Sequence, residues 1–160
     1  AGGVGIASVL LAAEELLRGG SQVELLYGAR SSAYLIDADR FAQIGCDVVV
    51  ATDDGSAGHR GYVTELLERR ARPQSLLACG PSPMLRAVGA VAARMGVRAQ
   101  LSLEETFACG VGGCWGCVVP IVASSAQAPS FPPHDRGGSD VVNARICKEG
   151  PVFWSDELRW

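Results

Sequence analysis

From Gly2 to about Ser102 the apolar positions alternate between two periods, one suited to amphipathic helices and one to short buried strands. Ile6 to Leu17 repeats apolar residues at helical spacing and stops at Gly19-Gly20. Val23 to Tyr27 is a short apolar run bounded by glycine, which predicts a buried strand. A helical stretch opens after Ser31-Ser32, with serine as its N-cap, and closes near Gly45. Asp47 to Ala51 is a β-branched strand, Asp53 to Gly58 a loop, and Tyr62 to Arg70 another helix. Ser75 to Cys79 predicts a strand. Gly80-Pro81-Ser82-Pro83 then opens a helix, with Ser82 as cap and Pro83 in its first turn. That helix ends at Met95-Gly96, and Val97 to Leu103 is the last strand of the series.

Repeated helix–strand units of this length imply an α/β fold: a Rossmann-like parallel sheet with right-handed crossovers. Ligands in such sheets bind beyond the carboxyl ends of the strands. The loops to consult are therefore residues 2–5, 28–32, 51–58 and 79–83. The chain opens on Ala1-Gly2-Gly3-Val4-Gly5, which reads as a loop entered from a strand outside this sequence. The expectation is a first region, 1–103, that binds a nicotinamide dinucleotide and is truncated at its start.

The pattern changes after residue 103. Residues 104–160 hold a glycine-rich cysteine loop, a short strand from Cys117 to Val122, and a strand from Val141 to Ile146 that delivers Cys147. Between the strands lies a stretch rich in Ser, Pro, Gly and Ala, an insertion near 123–143 expected to be a mobile loop. Pairing the two strands would set Cys147 beside the other cysteines, in a small β-rich domain.

Composition narrows the function. Charged residues make up 19% of 160, with a net charge of −3, so no basic field is available for nucleic acid or an anionic membrane surface. The apolar run from Val4 to Ala13 is too short to span a bilayer and lacks the positive leading region of a secretory signal. Six cysteines in 160 residues is too dilute for a disulfide framework. A reducing, cytoplasmic setting is expected.

The chemistry concentrates in Cys109-Gly-Val-Gly-Gly-Cys114-Trp-Gly-Cys117, with Cys147 further on. Four residues, then two, separate the first three thiols, which is the plant-type spacing of a [2Fe–2S] cluster. Gly110, Gly112, Gly113 and Gly116 allow the backbone to wrap closely and aim N–H groups at sulfur. Phe107, Val111 and Trp115 are expected to limit water access. A structural zinc site is the alternative, although it usually presents two short cysteine knuckles rather than three ligands in one loop.

The nucleotide signals are weaker one by one. Gly3-x-Gly5 at the start of a helix offers backbone donors and the helix dipole to a phosphate, or is a simple tight turn. Asp53, after a strand, could accept from ribose hydroxyls and repel a 2′-phosphate, favouring NAD; an ordinary Asp-Gly turn at Asp54-Gly55 fits nearly as well. Cys79, Gly80 and Pro81 sit at a strand end facing the same crevice, although a lone strand cysteine is often only a small buried hydrophobe. Cys46 is assigned to packing, and His59 and His134 to the surface. A cluster moves one electron whereas NAD takes a hydride, so a flavin is needed between them, and no catalytic side chain is nominated.

Several blocks resemble one family: Gly2-Gly-Val-Gly-Ile-Ala7, Leu26-Tyr-Gly-Ala-Arg30, residues 51–58, Ala78-Cys-Gly-Pro-Ser-Pro-Met84, Ser102-Leu-Glu-Glu105, residues 108–118 and Cys147-Lys-Glu-Gly-Pro-Val-Phe153. Together they resemble the iron–sulfur electron-transfer subunit of NAD-dependent (class 1B) dihydroorotate dehydrogenase, a branch of the ferredoxin reductase-like flavoproteins. The resemblance implies an FMN-containing catalytic subunit as partner in a hetero-oligomer, and electrons crossing a [2Fe–2S] cluster and FAD to NAD+, in pyrimidine biosynthesis. It places Cys109, Cys114, Cys117 and Cys147 at the cluster, and Gly3, Gly5, Asp53 and Cys79-Gly80-Pro81 at the nucleotide. It also implies an N-terminal barrel holding most of the FAD, without which this segment alone is expected to be inactive. A subunit of a related ferredoxin–NAD(P) or sulfide oxidoreductase is the alternative within this class. A zinc-stabilised or inactive fragment is the alternative outside it.

Overall fold

The computed structural model describes residues 1–129 and 140–160. Helix α1 (Ile6–Arg18) follows a 3-10 turn at Gly3–Gly5. Its apolar stripe, Ile6, Val9, Leu10, Ala13 and Leu17, recurs every three or four residues and packs toward Leu25, Tyr27 and Phe41. Strand β1 (Glu24–Ala29) pairs in parallel with β2 (Asp47–Thr52), and β2 with the two-residue β3 (His59–Arg60). Helix α3 (Val63–Glu68) returns to β4 (Leu76–Cys79), and α4 (Ser82–Met95) crosses to β5 (Ala99–Ser102), which lies parallel to β4.

These strands form two separate groups, β1-β2-β3 and β4-β5 with a later strand. Between β1 and β4 lies a cavity of about 650 Å³. Ala1 and Gly2 tie its rim. The Gly28 N–H donates to the Ala1 carbonyl at 2.9 Å, and the Gly2 N–H donates to the Cys79 carbonyl at 2.9 Å.

Two helix starts differ from expectation. The stretch from Ser31 to Gly45 is not one helix but a 3-10 turn (Ser32–Tyr34), a break, and α2 (Ala38–Gln43), with Asp37 at φ 50°. Ser31 makes no side-chain cap. Buried Tyr27 accounts for the break: its hydroxyl accepts from the Ile36 N–H at 3.2 Å and donates to the Tyr34 carbonyl at 3.3 Å. A buried hydroxyl needs such partners, and a continuous helix would have consumed them. At α4 the cap position is Pro81, not Ser82, and no side chain caps it. There the Leu85 N–H donates to the Pro81 carbonyl at 3.1 Å.

Beyond β5, strands β6 (Val118–Val122) and β7 (Val141–Arg145) pair antiparallel, with Val118 opposite Arg145 and Val122 opposite Val141. The chain then turns back, and β8 (Val152–Trp154) joins β5 antiparallel. One apolar core spans these parts: Leu85, Val88 and Leu101 are buried with Ile121, Ile146 and Phe153. The start of the 123–143 stretch is tied down rather than loose. The Ser125 hydroxyl donates to Glu157 Oε2 at 3.0 Å, and the Gln127 amide donates to the carbonyls of Glu149 and Val152 at 2.8 Å each. Residues 130–139, including His134, lie outside the described residues.

Candidate metal centre and nucleotide crevice

At the carboxyl ends of β1 and β4, the α1 turn and the β4–α4 loop touch. A Cβ on Gly5 would lie 2.5 Å from the Cys79 carbonyl oxygen, and one on Gly80 would lie 3.0 Å from the Gly2 backbone. Only glycine permits that approach. Above Gly3, at φ 51°, a Cβ would meet nothing within 4 Å, so the helix N-terminus opens onto free space. Gly3, Gly5, Cys79, Gly80 and Pro81 are thus gathered at one crevice. Cys79 is fully buried, and its thiol donates to Glu104 Oε1 at 3.4 Å.

The two aspartates at the other end of this edge have different surroundings. The Asp54 carboxylate accepts from the N–H and hydroxyl of Ser56, at 2.9 and 2.6 Å, and these bonds hold it below the usual carboxylate range. It belongs to its own turn. Asp53 is exposed, its N–H donates to the Ala29 carbonyl at 3.1 Å, and no described residue bonds its carboxylate. His59 is not simply a surface residue. It pairs with Glu65 at 2.9 Å, and Glu65 also accepts from the Tyr62 N–H at 3.1 Å as the N3 residue of α3. The hydrogen bond from His59, then that from Tyr62, lowers the Glu65 carboxyl below its ordinary value. Cys46 is buried among apolar residues, as its isolated spacing suggests.

The four remaining cysteines form two pairs. The Cys114 N–H donates to Cys109 Sγ at 3.4 Å, and the Cys147 N–H donates to Cys117 Sγ at 3.5 Å. Gly116 sends its N–H to Cys114 Sγ at 3.4 Å. The loop reaches this shape with Gly110, Gly112 and Trp115 at positive φ, the last at 58°. Backbone N–H groups, led by that of Cys114, pull the Cys109 thiol down to about 6. The adjacent Cys117 thiol, then burial, pushes Cys147 up. Among the described residues no three Cys, His, Asp or Glu side chains converge as a single-ion site.

Shielding is thinner than expected. Val111 is 76% exposed and Phe107 is exposed too, because the loop projects from β6 and neither side chain has a core to turn into. Only Trp115 is half-buried, beneath Arg145. Arg145 itself carries no motif signal, and sequence reasoning missed it. Its guanidinium donates to the Gly112 carbonyl at 2.7 Å.

Residues 1–90 match the family model of the oxidoreductase NAD-binding domain, and the chain belongs to that family. Its relatives narrow the likeness. It is 34% identical over 158 residues to the dihydroorotate dehydrogenase B (NAD(+)) electron transfer subunit of Caldanaerobacter subterraneus, covering 98% of this chain and 56% of that protein. It is 36% identical to the subunit of the same name from Geobacillus kaustophilus, covering 98% and 54%. The chain therefore spans about half the length of the curated relatives it matches. A solved structure of the NADH-dependent reduced ferredoxin-NADP oxidoreductase, studied for flavin-based electron bifurcation, superposes with a TM-score of 0.75 at 30% identity. That match covers 99% of this chain and 52% of that one. CYP116B46 of Tepidiphilus thermophilus shares the fold, at 19% identity and a TM-score of 0.55 over 92% of this chain and 25% of that one. The fold is thus the ferredoxin reductase-like NAD-binding type that the resemblance implies, on the parallel α/β pattern the sequence predicts.

Proposed function

We propose that this chain is the nucleotide- and cluster-bearing part of an electron-transfer subunit that works with NAD. The observation that carries the reading is that the four cysteines are linked two by two, the Cys114 N–H bonding Cys109 Sγ and the Cys147 N–H bonding Cys117 Sγ. In a [2Fe–2S] cluster each iron takes two protein ligands, whereas structural zinc gathers four ligands about one point. Two pairs suit the former. The depressed Cys109 thiol and the N–H donors around it suit thiolate ligands. When bound, such a cluster supplies one-electron transfer, and FAD supplies the conversion to the two-electron chemistry of NAD.

The chain's own residues hold and orient. Gly3 and the first turn of α1 present backbone donors to a pyrophosphate. Cys79-Gly80-Pro81 forms the wall of the nicotinamide side, and the Asp53 carboxylate receives ribose hydroxyls and disfavours a 2′-phosphate. No residue here is assigned to the flavin, which the resemblance places in an N-terminal barrel. The partner is an FMN-containing dihydroorotate dehydrogenase catalytic subunit, in a cytoplasmic hetero-oligomer. No described helix is long and apolar enough to cross a membrane.

The test is an anaerobic absorption spectrum with iron and sulfide analysis of the intact native protein. Dithionite-bleachable visible bands and about two irons per four cysteines are expected. Zinc, or no metal after reconstitution, overturns the reading. The 30% identity to the ferredoxin-NADP oxidoreductase chain supports a second reading, a subunit of that kind. Reduction of the cluster by dihydroorotate through the purified complex supports the first; reduction only by ferredoxin supports the second.

A further inference from the structure

Arg145 ends β7, two residues before Cys147, and its side chain is not directed to solvent. It is 12% exposed, and Glu149 beside it is 11% exposed. Arg145 Nε donates to Glu149 Oε2 at 3.0 Å, its Nη2 reaches Oε1, and its backbone N–H donates to Oε2 at 2.7 Å. The backbone N–H groups of the Cys147 turn also converge here: those of Lys148 and Glu149 both donate to the Arg145 carbonyl. The other side of the guanidinium faces the three-cysteine loop. It stacks over the Trp115 ring at 4.3 Å and donates to the Gly112 carbonyl at 2.7 Å. One planar fork therefore joins the turn carrying Cys147 to the loop carrying Cys109, Cys114 and Cys117. It grips that loop at Gly112 and at Trp115, two of its positive-φ residues.

The pair has an electrostatic consequence as well. The guanidinium lies two residues from Cys147 and against Gly112 and Trp115 of the three-cysteine loop, so its charge sits between the two cysteine segments. A half-buried cation near a cluster favours the reduced, more negative state; the Glu149 carboxylate opposes it. Removing one partner leaves the other's charge uncompensated in a poorly solvated place.

We infer that Arg145 is a positioning residue that locks the two cysteine segments together, and that the Arg145–Glu149 pair sets the reduction potential of whatever cluster they hold. The inference rests on the [2Fe–2S] reading. A Lys in place of Arg145 keeps the charge but loses the fork and the stacking.

The experiment uses the intact protein, loaded anaerobically, in wild-type, Arg145→Met, Arg145→Lys and Glu149→Gln forms. Reduction potential by optical titration and iron release to a chelator are read on each. Arg145→Met is expected to shift the potential down and to release iron several-fold faster. Glu149→Gln is expected to shift the potential up. Arg145→Lys is expected to keep a near-wild-type potential yet release iron faster. A merely structural role would move both single-charge variants the same way. Equal potentials throughout, or shifts of the same sign in Arg145→Met and Glu149→Gln, overturn the inference while leaving an iron-loaded wild type intact. A wild type that takes up no iron brings down the cluster reading and this inference together. Should Arg145→Met fail to fold, the lysine and glutamine variants still decide.

Discussion

A methyl group on Gly5 would lie 2.5 Å from the Cys79 carbonyl oxygen, whereas one on Gly110 or Gly113 would meet nothing within 4 Å. The crevice and the cysteine loop both depend on glycine, but for different reasons. At the crevice glycine lets α1 and β4 touch, so its shape is part of the packing that makes the fold. In the loop, glycine at φ 67° and 80° supplies a backbone course that most side chains resist. The crevice is therefore present as soon as the sheet forms. The cysteine loop, with Cys114 exposed and two apolar side chains in solvent, rests on a few bonds to β7.

The sharpest test of that contrast is Cys117→Ser. Cys117 is buried and pairs with Cys147, so the cluster chromophore should be lost outright in the intact protein. The thermal transition should fall only modestly, since Cys117 packs in the core it shares with Leu85 and Val88. Cys46→Ser is the matching control, at a buried thiol of the other core: full colour and a small loss of stability are expected. Loss of colour in both would erase the distinction between the two regions.

The next largest effect belongs to the crevice. Gly5→Ala forces a methyl against a backbone oxygen that cannot swing aside, and overpacking of this kind costs about 1–3 kcal/mol. Urea unfolding should show that loss, and nucleotide affinity should fall with it. Gly113→Ala, with open space around it, should leave stability within about 0.5 kcal/mol of wild type. Equal losses at the two sites would mean that the loop is as tightly packed as the crevice.

How far the sequence carried this picture depends on the range of the forces involved. The alternation of helices and strands up to residue 102 was legible, since local apolar spacing decides it. The closeness of Cys109 and Cys114 was legible because the loop between them is short. The break before α2 was not, because its cause is the hydroxyl of Tyr27, seven and nine residues away on a neighbouring strand. Nor was β8, a three-residue apolar run whose partner lies about fifty residues earlier. Arg145 was invisible for the same reason: only the β6–β7 pairing brings it over Trp115. The expected shielding by Phe107 and Val111 failed because composition says what a side chain prefers, not whether a core lies within its reach.

Asp53, at the other end of the edge that holds the crevice, offers a finer comparison. Its neighbour Asp54 is satisfied by Ser56, whereas no described residue bonds the Asp53 carboxylate. Asp53→Ala should therefore raise the KM for NAD+ in the intact protein by about tenfold, the order expected for one hydrogen bond to a charged group. The discrimination against NADP+ should shrink with it. Asp54→Ala should loosen the turn and leave the ratio of the two nucleotides unchanged. If Asp54 controls that ratio instead, the turn and the ligand site have been assigned to the wrong residues.

The smallest effect expected is at the rim, where Glu65 joins His59 of β3 to the start of α3. Its carboxyl is held below the ordinary value, first by the hydrogen bond from His59 and then by the Tyr62 N–H. The folded state thus binds a proton at Glu65 less readily than the unfolded chain does. The sign follows: this contribution is full above the unfolded carboxylate value near 4.5 and is lost as pH falls through the lower folded value. Glu65→Gln should lower stability slightly at neutral pH and leave it unchanged once pH falls below the folded carboxyl value, a small effect because the pair is solvent-facing and screened. Thermal melts between pH 3 and 7, with and without added salt, read this directly. The same substitution should not alter iron retention, since no described side-chain bond of Glu65 reaches the cysteine loop. An acid-dependent loss of iron in Glu65→Gln would show that the packed crevice and the open loop are coupled, and the separation argued from their glycines would fail.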